Sequence, residues 1–131
     1  MLRAYYLACD FYPKIMFAGD KPDLAALLDA LDQAIASKQH ISIQDHQAIH
    51  LYDFNLTITV NDDLEEGVFQ TTPQHFLWQM SQDTALDFYQ DLEELLCQPQ
   101  QSGSLIFEML RLDEIKIKIS MNEFDDSYLQ S

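Results

Sequence analysis

The spacing of apolar residues changes along the chain, and this change restricts the fold more than any other feature. From Leu24 to Ile35 the apolar residues recur every three or four positions, which predicts a helix with one apolar face. From Phe54 to Val60 they occupy every second position, which predicts a strand with one buried face. A chain that carries both patterns in turn is expected to form an α+β domain.

Two helices are predicted. The first begins near Pro22, a residue that suits the first helical turn. The second covers Gln82 to Cys97, but residues 73–80 before it fit either a strand or earlier helical turns, since Thr72 and Ser81 are both suitable caps. On the second helix the expected apolar side consists of Ala85, Leu86, Tyr89, Leu92 and Leu96, and the expected exposed side carries Asp83, Asp87, Asp91 and Glu94.

The remaining apolar stretches predict strands. Two aromatic-rich stretches flank Pro13, and "HISIQD", "HLYDFNLTITV" and residues 115–121 alternate in the manner of strands. The alternation stops at Asn61 and a new strand begins with "GVFQTT", so Asn61 to Glu66 is predicted to be the loop of an antiparallel hairpin. We therefore expect a mainly antiparallel sheet with about two helices packed on one face.

The length and composition predict one domain. A chain of 131 residues that is 47% hydrophobic is long enough for one core, so residues 1–131 are expected to form a single α+β domain with an acidic C-terminal tail at about 122–131. Cys9 and Cys97 form no CxxC pair, which favours reduced thiols, and both lie in apolar stretches, which favours buried ones. Arg3 interrupts the residues before "YLAC", so no secretion signal is expected and a cytoplasmic location is predicted.

The charge of the chain restricts its partners. Twenty-two acidic residues against 7 basic ones give a net charge of −15, beyond the magnitude of about 2 to 8 that suits a small soluble domain. The 72 residues from 39 to 110 include 12 acids and no Lys or Arg. Because phosphate groups are bound by clustered basic residues, neither nucleic acid nor an anionic membrane is an expected partner. A basic protein is.

Two patterns resemble metal sites and fail on spacing. In "NDDLEEG", counted as a calcium loop from Asn61, the position that needs Gly is Glu66 and the position that needs Glu is Thr72. His46 and His50 lie four apart in a stretch that reads as turn and strand, where about 13 Å would separate the rings. We expect no metal and no other cofactor.

Catalytic motifs are also missing from the sequence. Gly19, Gly67 and Gly103 are isolated, so there is no phosphate-binding or dinucleotide-binding glycine pattern and no nucleophile elbow. Paired acids are too abundant in this chain to identify an acid and a base. We therefore expect a protein that is not an enzyme.

The remaining signal is distributed acidity, which favours a protein-binding surface. Trp78 has two interpretations, an aromatic anchor for a partner or a core residue, the commoner role. The predicted partner-binding residues are Asp62, Asp63, Glu65, Glu66, Asp83, Asp87, Asp91, Glu94 and Trp78.

In size, acidity and α+β pattern, the whole chain resembles bacterial immunity proteins of contact-dependent-inhibition and other polymorphic toxin systems. That resemblance implies binding to a cognate toxin domain, often a basic nuclease, and occlusion of its active site. No motif of that diverse group is matched residue by residue, so the resemblance assigns no site residues. Two alternatives remain open: a structural or regulatory subunit of a bacterial protein assembly, and a small enzyme.

Overall fold

The computed structural model describes residues 1–8, 13–99, 102–111 and 114–122. Cys9 and residues 123–131 of the expected acidic tail lie outside the described residues. In chain order the elements are β1 (Leu2–Leu7), β2 (Lys14–Gly19), α1 (Lys21–Ser37), β3 (Ile41–Ser42), a 3₁₀ helix (Ile43–Asp45), β4 (Ile49–Tyr52), β5 (Asn55–Val60), β6 (Gly67–Thr72), β7 (His75–Met80), α2 (Gln82–Cys97), β8 (Gly103–Phe107) and β9 (Lys116–Met121).

The strands form two mixed sheets. A five-stranded sheet has the order β4-β1-β2-β9-β8, and a four-stranded sheet has the order β3-β5-β7-β6. The pairs β1–β4, β2–β9 and β5–β7 are parallel, and the other four pairs between described strands are antiparallel. The α+β class is therefore confirmed, whereas the expectation of a mainly antiparallel sheet is wrong.

The predicted hairpin around Asn61 to Glu66 is also wrong. β5 pairs in parallel with β7, and β6 lies on the far side of β7, so the loop crosses over a strand instead of joining neighbours. The antiparallel hairpin is β6–β7, which turns at residues 73 and 74. β7 takes the central position because it buries Phe76, Trp78 and Met80, whereas Val68 is the only large apolar side chain of β6 that is fully in the core.

The stretch predicted as one strand before Asn61 is two strands in different sheets. Asp53 separates them with a left-handed backbone (φ 65°), a conformation that Asp tolerates better than most residues. β4 therefore joins the five-stranded sheet and β5 the four-stranded one. The preceding "HISIQD" is a strand only at Ile41–Ser42 before it enters the 3₁₀ helix.

Local caps set the starts of both helices. The Asp20 carboxylate accepts a hydrogen bond from the Asp23 N–H at 2.9 Å, and the Asp23 carboxylate accepts one from the Asp20 N–H at 3.2 Å. Ser81 is the cap of α2, so residues 75–80 belong to a strand and the choice left open by the sequence is resolved.

The buried side of α2 differs from the expected one. It consists of Ala85, Phe88, Leu92 and Leu95, while Leu86 is 37% exposed. Phe88 is drawn inward because its ring contacts Trp78 and Phe107 edge-on, with centroids 5.4 and 5.6 Å away. With this rotation of the helix, Cys97 lies exposed at its end, which corrects the expectation of a buried thiol.

Both helices lie on one side of the five-stranded sheet. Their buried side chains share a core with Leu2, Phe17 and Ile119, which point from the inner face of that sheet. A separate cluster of Tyr5 and Met16 lies on the outer face. The outward side of α2 therefore points away from the sheet.

Candidate protein-binding surface

Trp78 belongs to the core. Its side chain has no exposed surface, and it packs edge-on against Phe88 and Phe107. A side chain without exposed surface does not contact a partner, so Trp78 is a core residue and not an aromatic anchor.

The loop from Asn61 to Glu66 folds onto the beginning of α2. The Asp62 carboxylate accepts a hydrogen bond from the Gln82 N–H at 2.9 Å. The Glu66 carboxylate accepts one from the Ser81 N–H at 2.8 Å, and the Ser81 hydroxyl accepts one from the Thr84 N–H at 3.2 Å. The first amides of a helix have no partners within the helix, so these two loop carboxylates act as caps supplied from a distance.

The environment of Glu66 stabilises its charged form. A hydrogen bond from the Thr84 side chain lowers the pKa of Glu66, and burial acts in the opposite direction. The Ser81 N–H and the Arg111 guanidinium add to the lowering, and the pKa of Glu66 lies below its usual value. Glu66 is thus a charged structural group.

The other two loop acids are exposed and differ in their contacts. The Asp63 N–H donates to the Asn61 side chain at 2.9 Å, which forms a local turn and leaves the Asp63 carboxylate pointing to solvent. Glu65 forms an ion pair with Arg111 at 3.6 Å, and Arg111 also donates to the Glu66 carbonyl at 2.6 Å. Arg111 is therefore the basic residue that holds this side of the loop.

Four carboxylates form an exposed line on α2, which we call the α2 acidic stripe: Asp83, Asp87, Asp91 and Glu94. The first three lie four residues apart, one helical turn each, and the stripe is about 16 Å long. Within the described part of the chain none of the four forms an ion pair. Because like charges four apart in a helix repel each other by about 0.2–0.5 kcal/mol per pair, the stripe lowers the stability of the free protein.

More than half of the basic residues lie on strands of the five-stranded sheet. Strand register places four of the seven on the outer face of the five-stranded sheet: Arg3, Lys14, Lys116 and Lys118. α2 packs on the inner side of that sheet, so these four side chains lie on the other side of the sheet from the helix. The two surfaces approach each other at β8, where Lys116 forms an ion pair with Glu108 at 2.8 Å.

A groove of about 310 Å³ lies between α2 and the end of β8. Asp87 and Asp91 of the α2 acidic stripe line one side and Glu108 lines the other. Phe88 and Phe107 contribute apolar surface to the groove, and both of them pack on Trp78.

Two apolar side chains on or after β8 are exposed to solvent. Ile106, on the strand side of the groove, is 51% exposed, and Leu110, beyond the end of β8, is 83% exposed. The Glu114 carboxylate accepts hydrogen bonds from the N–H groups of Met109 at 2.7 Å and Leu110 at 2.9 Å, and it thereby holds Leu110 in a left-handed conformation (φ 58°). The sequence-based predictions did not include this exposed apolar surface. An apolar residue at an outward position of an alternating strand, as at Ile106, could have indicated it.

The residues tested as metal ligands have other contacts. His46 accepts a hydrogen bond from the Ala48 N–H, so its Nε2 carries the hydrogen and donates to Asp29 at 3.0 Å. His50 contacts the Tyr52 ring edge-on. Among the described residues, no three His, Cys, Asp or Glu side chains are grouped closely enough to hold a metal ion. None of the described helices has both the length and the apolarity needed to span a membrane.

Neither the models of known protein families nor the curated proteins contain a match to this chain.

Proposed function

We propose that this protein is an acidic protein-binding domain whose α2 acidic stripe binds a basic protein. The observation that carries the proposal is the stripe itself: four exposed carboxylates on one side of a helix, with no ion pair to any described residue. Their mutual repulsion costs the free protein stability, and Lys or Arg side chains of a partner would relieve it.

The net charge of −15 supports the same proposal. A face of one sign attracts an oppositely charged partner over a distance of about 8 to 10 Å at moderate salt and raises association rates about 10 to 10³-fold. Direct contact is proposed for the α2 acidic stripe and Asp63, while Asp62 and Glu66 support the surface through their caps.

The partner class that we propose is a basic toxin domain, with the protein as its immunity protein. The support is the compositional and architectural resemblance described above, together with an acidic surface suited to cover a site that binds phosphate groups. Binding would neutralise such a toxin by blocking access of its anionic substrate.

The test measures binding to the polypeptide encoded by the neighbouring gene at about 0.05 M and about 0.5 M salt, where screening differs strongly. We expect binding that weakens with salt and becomes at least about tenfold weaker when Asp87 and Asp91 are both replaced by Lys. The matched control is the double replacement Asp32→Lys and Asp45→Lys, which changes the net charge equally at two exposed sites outside the stripe. No binding at low salt, or equal losses in the two double variants, would contradict the proposal.

A further inference from the structure

β8 lies at one edge of the five-stranded sheet. It pairs with β9 on one side, and no described strand lies on the other. The open side of an edge strand carries backbone N–H and C=O groups that can pair with another extended chain, and proteins usually protect such edges with charged side chains or by covering them. Here Ile106 lies half-exposed on this strand instead of a Lys or Pro.

The position of α2 turns this edge into one wall of the groove. Gly103, at the start of β8, allows close packing on the helix, because a Cβ there would lie 2.9 Å from the Leu95 side chain. Toward the other end of β8 the groove lies open, between the carboxylates of Asp87 and Asp91 and that of Glu108. An added strand would therefore have the acidic wall of α2 on its inner side and Ile106 beside its outer side.

We propose that an extended segment of the basic partner binds here as an additional strand beside β8. The inference rests on the proposed function and specifies its binding mode. Side chains of a strand alternate between its two faces. Basic residues of the segment would thus point to Asp87 and Asp91, with their aliphatic stems over Phe88 and Phe107, and apolar residues between them would pack beside Ile106.

Charge favours such a segment over a second copy of this chain. Two copies paired through β8 would bring two α2 acidic stripes together, each on a protein of net charge −15. Like charges brought together at an interface weaken association, so this arrangement is disfavoured. A chain with alternating Lys and Val has the complementary pattern.

The test uses three peptides with the native protein: alternating Val and Lys, the same peptide N-methylated at every residue, and a peptide of equal composition with Lys and Val in separate blocks. Because successive N–H groups of a strand point to alternate sides, N-methylation at every residue removes the hydrogen-bond donors on both sides and leaves the charge unchanged. The readouts are Trp78 fluorescence, since the single Trp packs on two groove residues, and NMR hydrogen exchange of the β8 amides.

We expect the alternating peptide to slow exchange of amides within residues 103–107 and to bind at least about tenfold more tightly than either other peptide. Asp87→Asn with Asp91→Asn, and separately Ile106→Ser, should weaken it, whereas Asp32→Asn with Asp45→Asn should not.

Four results would overturn strand addition: equal binding of the three peptides, binding without protection of β8, a dimer of the native protein that buries β8, or absence of binding by the alternating peptide at low salt. Each of these leaves the salt-dependent binding of the neighbouring gene's product intact, so failure of the binding mode is distinguishable from failure of the proposed function.

Discussion

Two neighbouring groups of carboxylates in this protein have the same chemistry and opposite roles. In the loop after β5, Asp62 and Glu66 accept hydrogen bonds from backbone N–H groups at the start of α2. On α2 itself the carboxylates of the α2 acidic stripe have no such partners among the described residues. The comparison shows that the number of acids in a stretch does not define a binding surface. A carboxylate is available to a partner when it does not already accept hydrogen bonds from the backbone of its own protein.

The largest effect is expected at the loop. Replacing both Asp62 and Glu66 by Ala removes two caps of α2 and should lower the free energy of unfolding by about 2 kcal/mol, about 1 kcal/mol per cap. Urea denaturation measures the change. The matched control is Asp63→Ala, whose carboxylate points to solvent and should change stability by less than about 0.5 kcal/mol. Equal losses in the control and the double variant would remove the distinction between engaged and exposed loop acids.

The pH dependence of the loop is expected to follow Glu66. Its pKa in the folded protein lies below the usual value of 4.5, so the charged carboxylate stabilises the fold above pH 4.5, and this contribution is lost as the pH falls through the lowered pKa. The stability difference between the native protein and Glu66→Gln should therefore shrink below pH 4.5. Thermal unfolding from pH 7 to pH 3 measures it, and a difference that grows in acid would contradict the assignment.

The smallest effect is expected on α2 and has the opposite sign. Asp87 lies four residues from both Asp83 and Asp91, so Asp87→Asn removes two repulsions and should raise stability by about 0.5 kcal/mol. Glu93→Gln is the control on the same helix, because no acid lies three or four residues from it. Denaturation at low salt measures both variants. A loss of stability in Asp87→Asn would show that this carboxylate is engaged within the protein.

Sequence predicted the features that depend on neighbouring residues. Both helices form where the apolar spacing places them, since those interactions lie within a few residues of each other, but the sequence left the start of α2 open between Thr72 and Ser81. Strand pairing was predicted poorly because it depends on competition between distant segments. β7 pairs with β5 in place of β6 because it buries larger side chains. No pattern within one of these strands predicts that pairing.

The candidate surface was predicted in part. The exposed acids of α2 follow from helical spacing, whereas the capping roles of Asp62 and Glu66 depend on donors 15 to 20 residues away. Phe88 was missed because the amphipathic pattern of α2 fits two orientations, and the aromatic contacts with Trp78 and Phe107 select one. The groove depends on the same orientation, together with the edge position of β8.

The central claim is that the α2 carboxylates bind the partner while the loop carboxylates hold the helix. The most direct test compares two double variants that remove the same charge: Asp87→Asn/Asp91→Asn on α2 and Asp62→Asn/Glu66→Gln in the loop. For each, the free energy of unfolding and the affinity for the neighbouring gene's product are measured. We expect the α2 pair to weaken binding at least about tenfold without loss of stability, and the loop pair to lose stability while affinity stays within about twofold. An α2 pair that leaves affinity unchanged, or a loop pair that weakens binding as strongly, would contradict the claim.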